Sequence, residues 1–256
     1  MKRVIKNKKG EVIHVINMEF EGDDLRNADF HEALCANANF KEADCEGANF
    51  QKAFCANANF KEANCEDADL RDAYCWHADF QNANCEGVNF QKAYCYNTIF
   101  YKSNCVYANF EETNCFNAYF EEAICRYAIF YKSNCRYTYF KKADCESANF
   151  QKADLHDANF KNANCYNTNF QEADLRGVNF HKTNLYYTNL KDIIIDSPII
   201  QINGGQYQVI KWKDQIQIGC IIEQKNWWLK NYKKTMRKHN YTSEQIKEYY
   251  EYIIGY

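Results

Sequence analysis

Cysteine is the residue whose number and spacing in this sequence could most readily do chemistry. Of the 14 cysteines in the 256-residue chain, 13 lie between positions 35 and 165, separated by ten or twenty residues. Thiolates bind metal ions and exchange disulfides, but zinc sites use closely spaced pairs such as Cys-x2-Cys, which this spacing does not provide. We therefore predict buried thiols that act as small apolar side chains, with a cysteine-rich redox or metal buffer as a weaker alternative.

The remaining polar residues show no arrangement typical of an active site. Catalysis needs a nucleophile, a base and an orienting group held together in a cleft. One proline and nine glycines are too few for a loop-rich enzyme. The acidic residues recur as part of a surface repeat, and the six histidines are scattered at positions 14, 31, 77, 156, 181 and 239. We predict a protein with no enzymatic activity, no cofactor and no metal.

The elements that carry these residues follow from a five-residue period, which runs from near Phe20 to about Ile195 without insertion or deletion. Every fifth residue from Leu25 to Leu190 is Phe, Leu or Cys, which defines 34 units. The residue two positions earlier is Ala in 23 units, and the residue between them is Asp or Asn in 25. This inward, outward, inward alternation predicts a very short strand, followed by a polar two-residue turn.

Units such as Ala38-Asn39-Phe40-Lys41-Glu42 and Ala48-Asn49-Phe50-Gln51-Lys52 resemble the pentapeptide-repeat family, whose motif runs Ala-Asp/Asn-Leu-x-x with Phe allowed at the centre. The resemblance implies an all-β fold, a right-handed quadrilateral β-helix in which four units make one coil. The 34 units would make about eight and a half coils. At a strand spacing of ~4.8 Å the rod would be roughly 40 Å long.

A second period of ten residues is superimposed on the first. Phe occupies nearly every central position that is a multiple of ten, with Leu70 and Leu190 as exceptions, and Cys or Leu occupies the positions between. On a four-sided coil, two opposite faces then carry Phe and the other two carry Cys. Alternation of a large and a small side chain would fill a square interior without voids.

The two ends of the chain depart from the repeat, and they define the domain boundaries. Residues 1–19 begin with five Lys or Arg side chains, and the segments Arg3–Ile5 and Val12–Ile16 predict a β-hairpin cap over the open edge of the first coil. The period stops at Asp196-Ser197-Pro198. We therefore assign 20–195 to the β-helix and 196–256 to a small C-terminal α+β capping or interaction domain.

The C-terminal domain is predicted to begin with strands. Ile199–Ile202 and Tyr207–Trp212 read as a hairpin around Asn203-Gly204-Gly205, followed by a strand at Gln215–Ile222. With Ile218-Gly219-Cys220 ahead of an aromatic helix, this domain resembles the small C-terminal domain of phage and bacterial pentapeptide-repeat proteins. That resemblance implies no activity.

Two helices are predicted to follow these strands. The first covers about Glu223–Lys238 and contains two tryptophans. The second begins near Thr242, because the Thr242 hydroxyl and the Gln245 side chain would form a capping box ahead of an apolar helical face.

Charge is distributed unevenly along the chain. The formal charge of −3 divides into +4 for residues 1–18, −10 for 19–195 and +3 for 196–256. We expect no direct binding of nucleic acid. Some pentapeptide-repeat proteins resemble duplex DNA in shape and charge and bind type II topoisomerases, protecting them from quinolone drugs. The resemblance therefore implies an alternative function as a DNA mimic that binds DNA gyrase or topoisomerase IV, although the loop insertions typical of the quinolone-resistance members are absent.

The sequence also predicts the compartment. The basic N-terminus is not followed by an apolar run typical of a signal peptide, and no stretch approaches 18 consecutive apolar residues. We expect a cytoplasmic protein with reduced thiols and no contact with a membrane.

Outward-facing aromatic residues provide the candidate functional surface. Positions 34, 54, 74 and 94 carry large apolar residues where Asp or Asn is the rule, and a spacing of 20 stacks them on one face. Contiguous apolar patches rarely stay exposed in a monomer, so we predict a rigid scaffold that binds a protein partner or a second copy. The alternative is that the stacked side chains only stabilise neighbouring strands. This aromatic stripe consists of Leu34, Phe54, Tyr74, Trp76, Tyr94, Tyr96 and Phe116.

Overall fold

Successive coils of the repeat domain are joined by parallel backbone pairing between residues 20 positions apart. The pairs run from Glu19 with Asn39 to Asp174 with Ile194. A return after 20 residues means that four five-residue units make one coil, as predicted. The structure is a computed structural model that describes residues 4–7, 12–14, 19–190, 192–196, 200–202, 209–212, 215–218, 221–238 and 241–254.

Each corner of the coil is a β-turn. The amide of Ala28, for example, donates to the carbonyl oxygen of Leu25 at 2.9 Å. The residue two positions after each centre has a positive φ, between 54° and 61° where it is not glycine, as the second central residue of a type II turn requires. Gly87 occupies such a position, and a Cβ atom there would lie only 2.2 Å from Asp67 Oδ1 in the preceding coil. A side chain at this corner would therefore require the Asp67 side chain to move.

Backbone hydrogen bonds connect each coil to both of its neighbours. The amide of Phe110 donates to the carbonyl of Ile129 in the next coil at 2.6 Å, and the amide of Asn109 donates to Val88 in the previous coil at 2.8 Å. The same pattern repeats along the rod, so the three-residue strands satisfy their polar backbone groups between coils.

Two columns of phenylalanine rings fill the centre of the rod. Rings 20 residues apart stack with centroids 4.6–5.4 Å apart. Rings ten residues apart meet edge to face at 5.3–5.7 Å. Opposite faces therefore contact each other in the interior, and the predicted alternation of large and small faces is confirmed.

The cysteines form the other two columns. All 13 cysteines from Cys35 to Cys165 are buried and form no disulfide, as predicted, whereas Cys220 lies outside the described residues. Thr replaces Ala at five buried positions where its hydroxyl donates to the carbonyl of the residue 23 positions earlier. These five are Thr98, Thr113, Thr138, Thr168 and Thr183, with donor–acceptor distances of 2.6–2.8 Å.

Three short strands form an antiparallel sheet at the N-terminal end. β1 (Val4–Asn7) pairs with β2 (Val12–His14) and with β3 (Ala28–Asp29) of the first repeats. Arg3, the predicted turn and residues 15–16 of the predicted hairpin lie outside the described residues. The function of this segment as a cap stays a prediction.

The C-terminal segment contains a four-stranded antiparallel meander and two helices. The strands are β4 (Ile200–Ile202), β5 (Val209–Trp212), β6 (Gln215–Ile218) and β7 (Ile221–Gln224), paired in that order. The single strand predicted at Gln215–Ile222 is therefore wrong, because the chain pairs with itself there as two strands. Residues 197–199, 203–208 and 219–220, which include predicted turn and boundary residues, lie outside the described part.

The two helices are α1 (Lys225–Lys238) and α2 (Ser243–Ile254). α1 begins two residues later than predicted, because β7 continues to Gln224. The predicted capping box is confirmed: the Thr242 amide donates to Gln245 Oε1 at 2.8 Å, and the Gln245 amide donates to Thr242 Oγ1 at 3.2 Å. Trp228 anchors α1 to the sheet, since its indole Nε1 donates to the Ile216 carbonyl at 2.6 Å. In the described part of the chain, neither helix has the length and apolar composition that a membrane crossing requires.

Candidate interaction surface

The aromatic stripe is presented by two kinds of position. Leu34, Phe54, Tyr74 and Tyr94 occupy consecutive outward strand positions, joined one to the next by parallel backbone pairing. Trp76, Tyr96 and Phe116 are the first turn residues that follow the same face. Because the coil repeats every 20 residues, both series are placed one coil apart, which is about 4.8 Å in a β-sheet.

The rings at the centre of the stripe are in continuous contact. Tyr74 and Tyr94 stack almost in parallel, with centroids 4.9 Å apart and an interplanar angle of 2°. Trp76 stacks on Tyr96 at 5.5 Å and meets the edge of Tyr74 at 5.6 Å. Phe54 contacts Trp76 at 5.1 Å and Tyr74 at 6.0 Å. The structure therefore brings five of the seven predicted residues together in one cluster.

These side chains are only partly accessible to solvent. Leu34 is 52% exposed, Tyr94 43%, Phe116 39% and Tyr74 37%. Phe54, Trp76 and Tyr96 are half-buried. Each lies against a ring of an adjacent coil, which covers part of its surface.

Phe116 extends the stripe in a direction that was not predicted. Its ring meets Tyr137 at 5.4 Å, and Tyr137 in turn meets His156 at 6.4 Å. On the adjacent face Tyr119 stacks on Tyr139 at 5.0 Å. A spacing of 20 or 21 residues between aromatic turn positions was the available signal for this extension.

The charged residues form ladders rather than a uniform acidic surface. Glu122 lies between Lys102 and Lys142, with N–O distances of 3.6 and 2.9 Å, and its hydrogen bond to Lys142 lowers the pKa of the Glu122 carboxyl. Residues 99–195 contain 11 acidic and 11 basic residues, whereas residues 19–98 contain 16 acidic and six basic residues. The net charge of −10 assigned to the whole rod therefore lies entirely in its N-terminal half.

The buried cysteine columns keep their thiols away from solvent. Burial raises the pKa of the Cys115 and Cys145 thiols well above the ordinary value, which favours the inert protonated form. At Cys105, burial opposes ionisation, but hydrogen bonds with Cys125, Cys85 and Ser103 outweigh it and lower the pKa. Within the described ranges, no three His, Cys, Asp or Glu side chains converge in a way that could hold a metal ion.

A coil of four five-residue units, central Phe or Cys and inward Ala define a pentapeptide-repeat solenoid. The family model for pentapeptide repeats matches eight copies within residues 38–74, 78–114, 128–164 and 163–194, more than half of the chain. The chain therefore belongs to the pentapeptide-repeat family, whose solved members have a right-handed quadrilateral β-helix.

Two solved structures illustrate the likeness. QnrB1, described as a plasmid-mediated fluoroquinolone resistance protein, is 15% identical, with a TM-score of 0.57 over 69% of this chain and 86% of that chain. HetL, a pentapeptide repeat protein involved in heterocyst differentiation regulation in the cyanobacterium Nostoc, is 20% identical, with a TM-score of 0.34 over 69% and 84%. At 15% identity the likeness to QnrB1 shows the fold alone. A search of curated proteins finds no match to the chain.

Proposed function

We propose that this protein is a non-enzymatic, rigid solenoid scaffold that binds a protein partner, or a second copy of itself, through the aromatic stripe. The observation that carries the proposal is the cluster of five contacting rings from Phe54 to Tyr96, each of which remains at least partly exposed to solvent. Aromatic side chains of this kind commonly provide most of the binding energy of an interface.

The rigidity of the rod supports this function. Interface residues that the backbone holds in place lose little conformational entropy on binding. Each stripe residue sits on a coil that is hydrogen-bonded to both neighbours, and beneath it the Phe and Cys columns are fully packed. The stripe is therefore a preorganised surface.

Replacement of Tyr74, Trp76, Tyr94 and Tyr96 together by Asn tests the proposal. We expect an unchanged β-helix circular dichroism spectrum and a shift toward monomer in analytical ultracentrifugation, or loss of a partner recovered from the native cell by pull-down. A matched control replaces four tyrosines whose rings contact each other in pairs outside the stripe, and it should retain the wild-type behaviour. These four are Tyr107, Tyr127, Tyr166 and Tyr187. If wild type is a monomer at tens of micromolar and the quadruple stripe variant keeps every partner, the stripe only stacks strands and the proposal is wrong.

A second candidate function is DNA mimicry toward DNA gyrase or topoisomerase IV. The concentration of the entire net charge of −10 in residues 19–98 favours it, because closely spaced carboxylates compete for the Lys and Arg groups that bind phosphates. The ladders that neutralise the second half weigh against it, since a duplex has no such neutral segment. A gyrase supercoiling assay with titrated protein separates this candidate from the scaffold.

The third and weaker candidate, a cysteine-based redox or metal buffer, requires accessible thiols. We infer instead a cytoplasmic protein with reduced, structural cysteines, in keeping with the 13 buried free thiols. Native protein should react slowly with a thiol reagent, and denatured protein should titrate all 14 cysteines. Rapid native labelling of most of them would favour the buffer.

A further inference from the structure

Three glutamates on one edge of the acidic half make no ion pair in the described part of the chain. Glu46, Glu66 and Glu86 are first turn residues 20 positions apart, so they lie one above another, about 4.8 Å per step. Within the described part of the chain, none is within ion-pair distance of Lys or Arg. Arg26, one coil before Glu46, pairs instead with Asp24 and Asp44 and interacts with Glu46 only at longer range. Glu66 and Glu86 accept only amide hydrogen bonds, from Asn84 and Asn104, at 3.2 Å each. We call these three residues the acidic column.

Helix α1 presents the opposite charge. Its 14 residues contain six Lys or Arg and no acidic residue. Its buried residues Trp228 and Met236 lie on one face, and the exposed face carries cations at i, i+3, i+4 and i+7. We call this exposed set the basic stripe, and it consists of Lys230, Lys233, Lys234 and Arg237.

The basic stripe is free to bind an anionic surface. Among the residues that the structure describes, no carboxylate lies within ion-pair distance of its four side chains. Lys233 and Arg237 also line a cavity of about 430 Å³ between α1 and α2, where Lys247 adds a third positive charge and Glu251 the one negative charge of the lining. The positive surface therefore extends from α1 onto α2.

We propose that the basic stripe of one molecule docks on the acidic column of a second copy, which joins molecules head to tail. The two surfaces match in length, because Glu46 to Glu86 spans two coil steps, about 10 Å, and Lys230 to Arg237 spans seven helical residues, about 10.5 Å. They also match in sign, and among the described residues neither surface makes an ion pair of its own. A head-to-tail contact uses two different patches. A growing row of molecules therefore keeps one free acidic column at one end and one free basic stripe at the other.

A second copy is a better occupant than the same chain. Ile194, near the end of the repeats, lies more than five coils beyond the coil of Glu86, about 26 Å along the rod. The neutral half of the rod occupies that distance. The basic stripe of a neighbouring molecule can reach the acidic column without spanning this neutral half.

A charge-swap experiment tests this interface. One variant carries Glu46→Lys, Glu66→Lys and Glu86→Lys, and the other carries Lys230→Glu, Lys233→Glu and Arg237→Glu. The rod tolerates lysine at this turn position, since Lys61 and Lys141 occupy it naturally. In sedimentation experiments at low ionic strength we expect wild type to associate, with a dissociation constant raised about tenfold or more by added salt. Each variant alone should stay monomeric, and a 1:1 mixture of the two should associate, because every contact again joins opposite charges.

Control measurements separate this interface from the aromatic stripe and from other anions. A control variant with Glu42→Lys, Glu62→Lys and Glu111→Lys should associate like wild type. The variant with four stripe residues replaced by Asn should also keep the association that added salt weakens. The proposal is overturned if the mixed variants stay monomeric while circular dichroism shows both folded. It is also overturned if the wild-type protein is monomeric at low salt, or if it binds a labelled DNA duplex through the basic stripe and associates only then.

Discussion

One column of the rod contains two kinds of side chain on the same backbone. Positions 34, 54, 74 and 94 carry large apolar groups, and positions 114, 134, 154 and 174 carry Asn or Asp, yet all eight pair with their neighbours through the same parallel bridges. In the polar half, Asn134 Nδ2 donates to Asn114 Oδ1 at 3.1 Å. In the aromatic half, Tyr74 stacks on Tyr94 at 4.9 Å.

The comparison shows that the coil does not require aromatic side chains at this position. An amide-to-amide hydrogen bond and a ring stack each contribute on the order of 1 kcal/mol, so either kind of contact can link neighbouring coils. The interior beneath both halves is fully buried and apolar, with Cys at the central positions up to Cys135 and Leu155 and Leu175 beyond it. The aromatic half therefore differs from the polar half mainly in what it offers to a partner.

The common interior predicts the largest effect, a steep loss of stability at alkaline pH. Burial raises the pKa of the Cys115 and Cys145 thiols, and a hydrogen bond to Cys105 together with burial raises those of Cys85 and Cys125. The native state then keeps protons that the unfolded chain loses above about pH 8.5. The contribution of these thiols to the free energy of unfolding is fully present below that pH. It falls as pH rises, by about 1.4 kcal/mol per pH unit for each such thiol.

Circular dichroism across pH 7 to 11 measures this loss. Each thiol whose pKa is raised adds to this fall, whereas Cys105, whose pKa is lowered, does not. Both halves of the column should unfold together. Cys115→Leu with Cys135→Leu extends the leucine run that begins at Leu155 in the same column, and it should move the transition to higher pH. A rod that keeps its spectrum at pH 11 would show that the thiols ionise without unfolding it.

A smaller effect is expected from a single ring of the interior. Phe110 stacks on Phe90 at 4.9 Å and on Phe130 at 4.7 Å, and it meets Phe100 and Phe120 edge to face. Phe110→Ala should lower the free energy of unfolding by roughly 3–5 kcal/mol, because a closely packed core cannot close the cavity. Phe110→Leu is the control and should cost under about 1.5 kcal/mol, since Leu70 already occupies this column. A loss of less than about 1 kcal/mol in Phe110→Ala, measured by chemical denaturation, contradicts the buried position.

The interior was predictable from the sequence because every unit repeats the same local environment. A period of five fixed the inward positions, and a period of ten assigned Phe and Cys to alternate faces. The half-burial of Trp76 and the contact of Phe116 with Tyr137 were not predictable, since a surface rotamer depends on the side chain one coil away. The division between β6 and β7 was missed because the isoleucine-rich run from Ile216 to Ile222 has no change in hydrophobicity, with Gly219 as the one turn signal.

The smallest effect on stability is expected where the two halves of the column meet. Tyr94→Asn removes the stack on Tyr74, which is worth about 0.5–1.5 kcal/mol. It also places an amide next to Asn114, whose side chain can then hydrogen-bond it as Asn134 bonds Asn114, for about 0.5–1.5 kcal/mol. The free energy of unfolding should therefore change by less than about 1 kcal/mol.

Association measured on the same variant then separates the structural role of the aromatic stripe from its functional role. If Tyr94 contributes to an interface, Tyr94→Asn should weaken partner binding or self-association about tenfold or more, since a buried tyrosine anchor is worth about 2 kcal/mol. Tyr127→Asn is the control, because Tyr127 is exposed and stacks on Tyr107 outside the stripe. A Tyr94→Asn variant that loses more than about 2 kcal/mol of stability but keeps its full association would assign the stripe to strand stacking, because the ring would then matter to the coil and not to a partner.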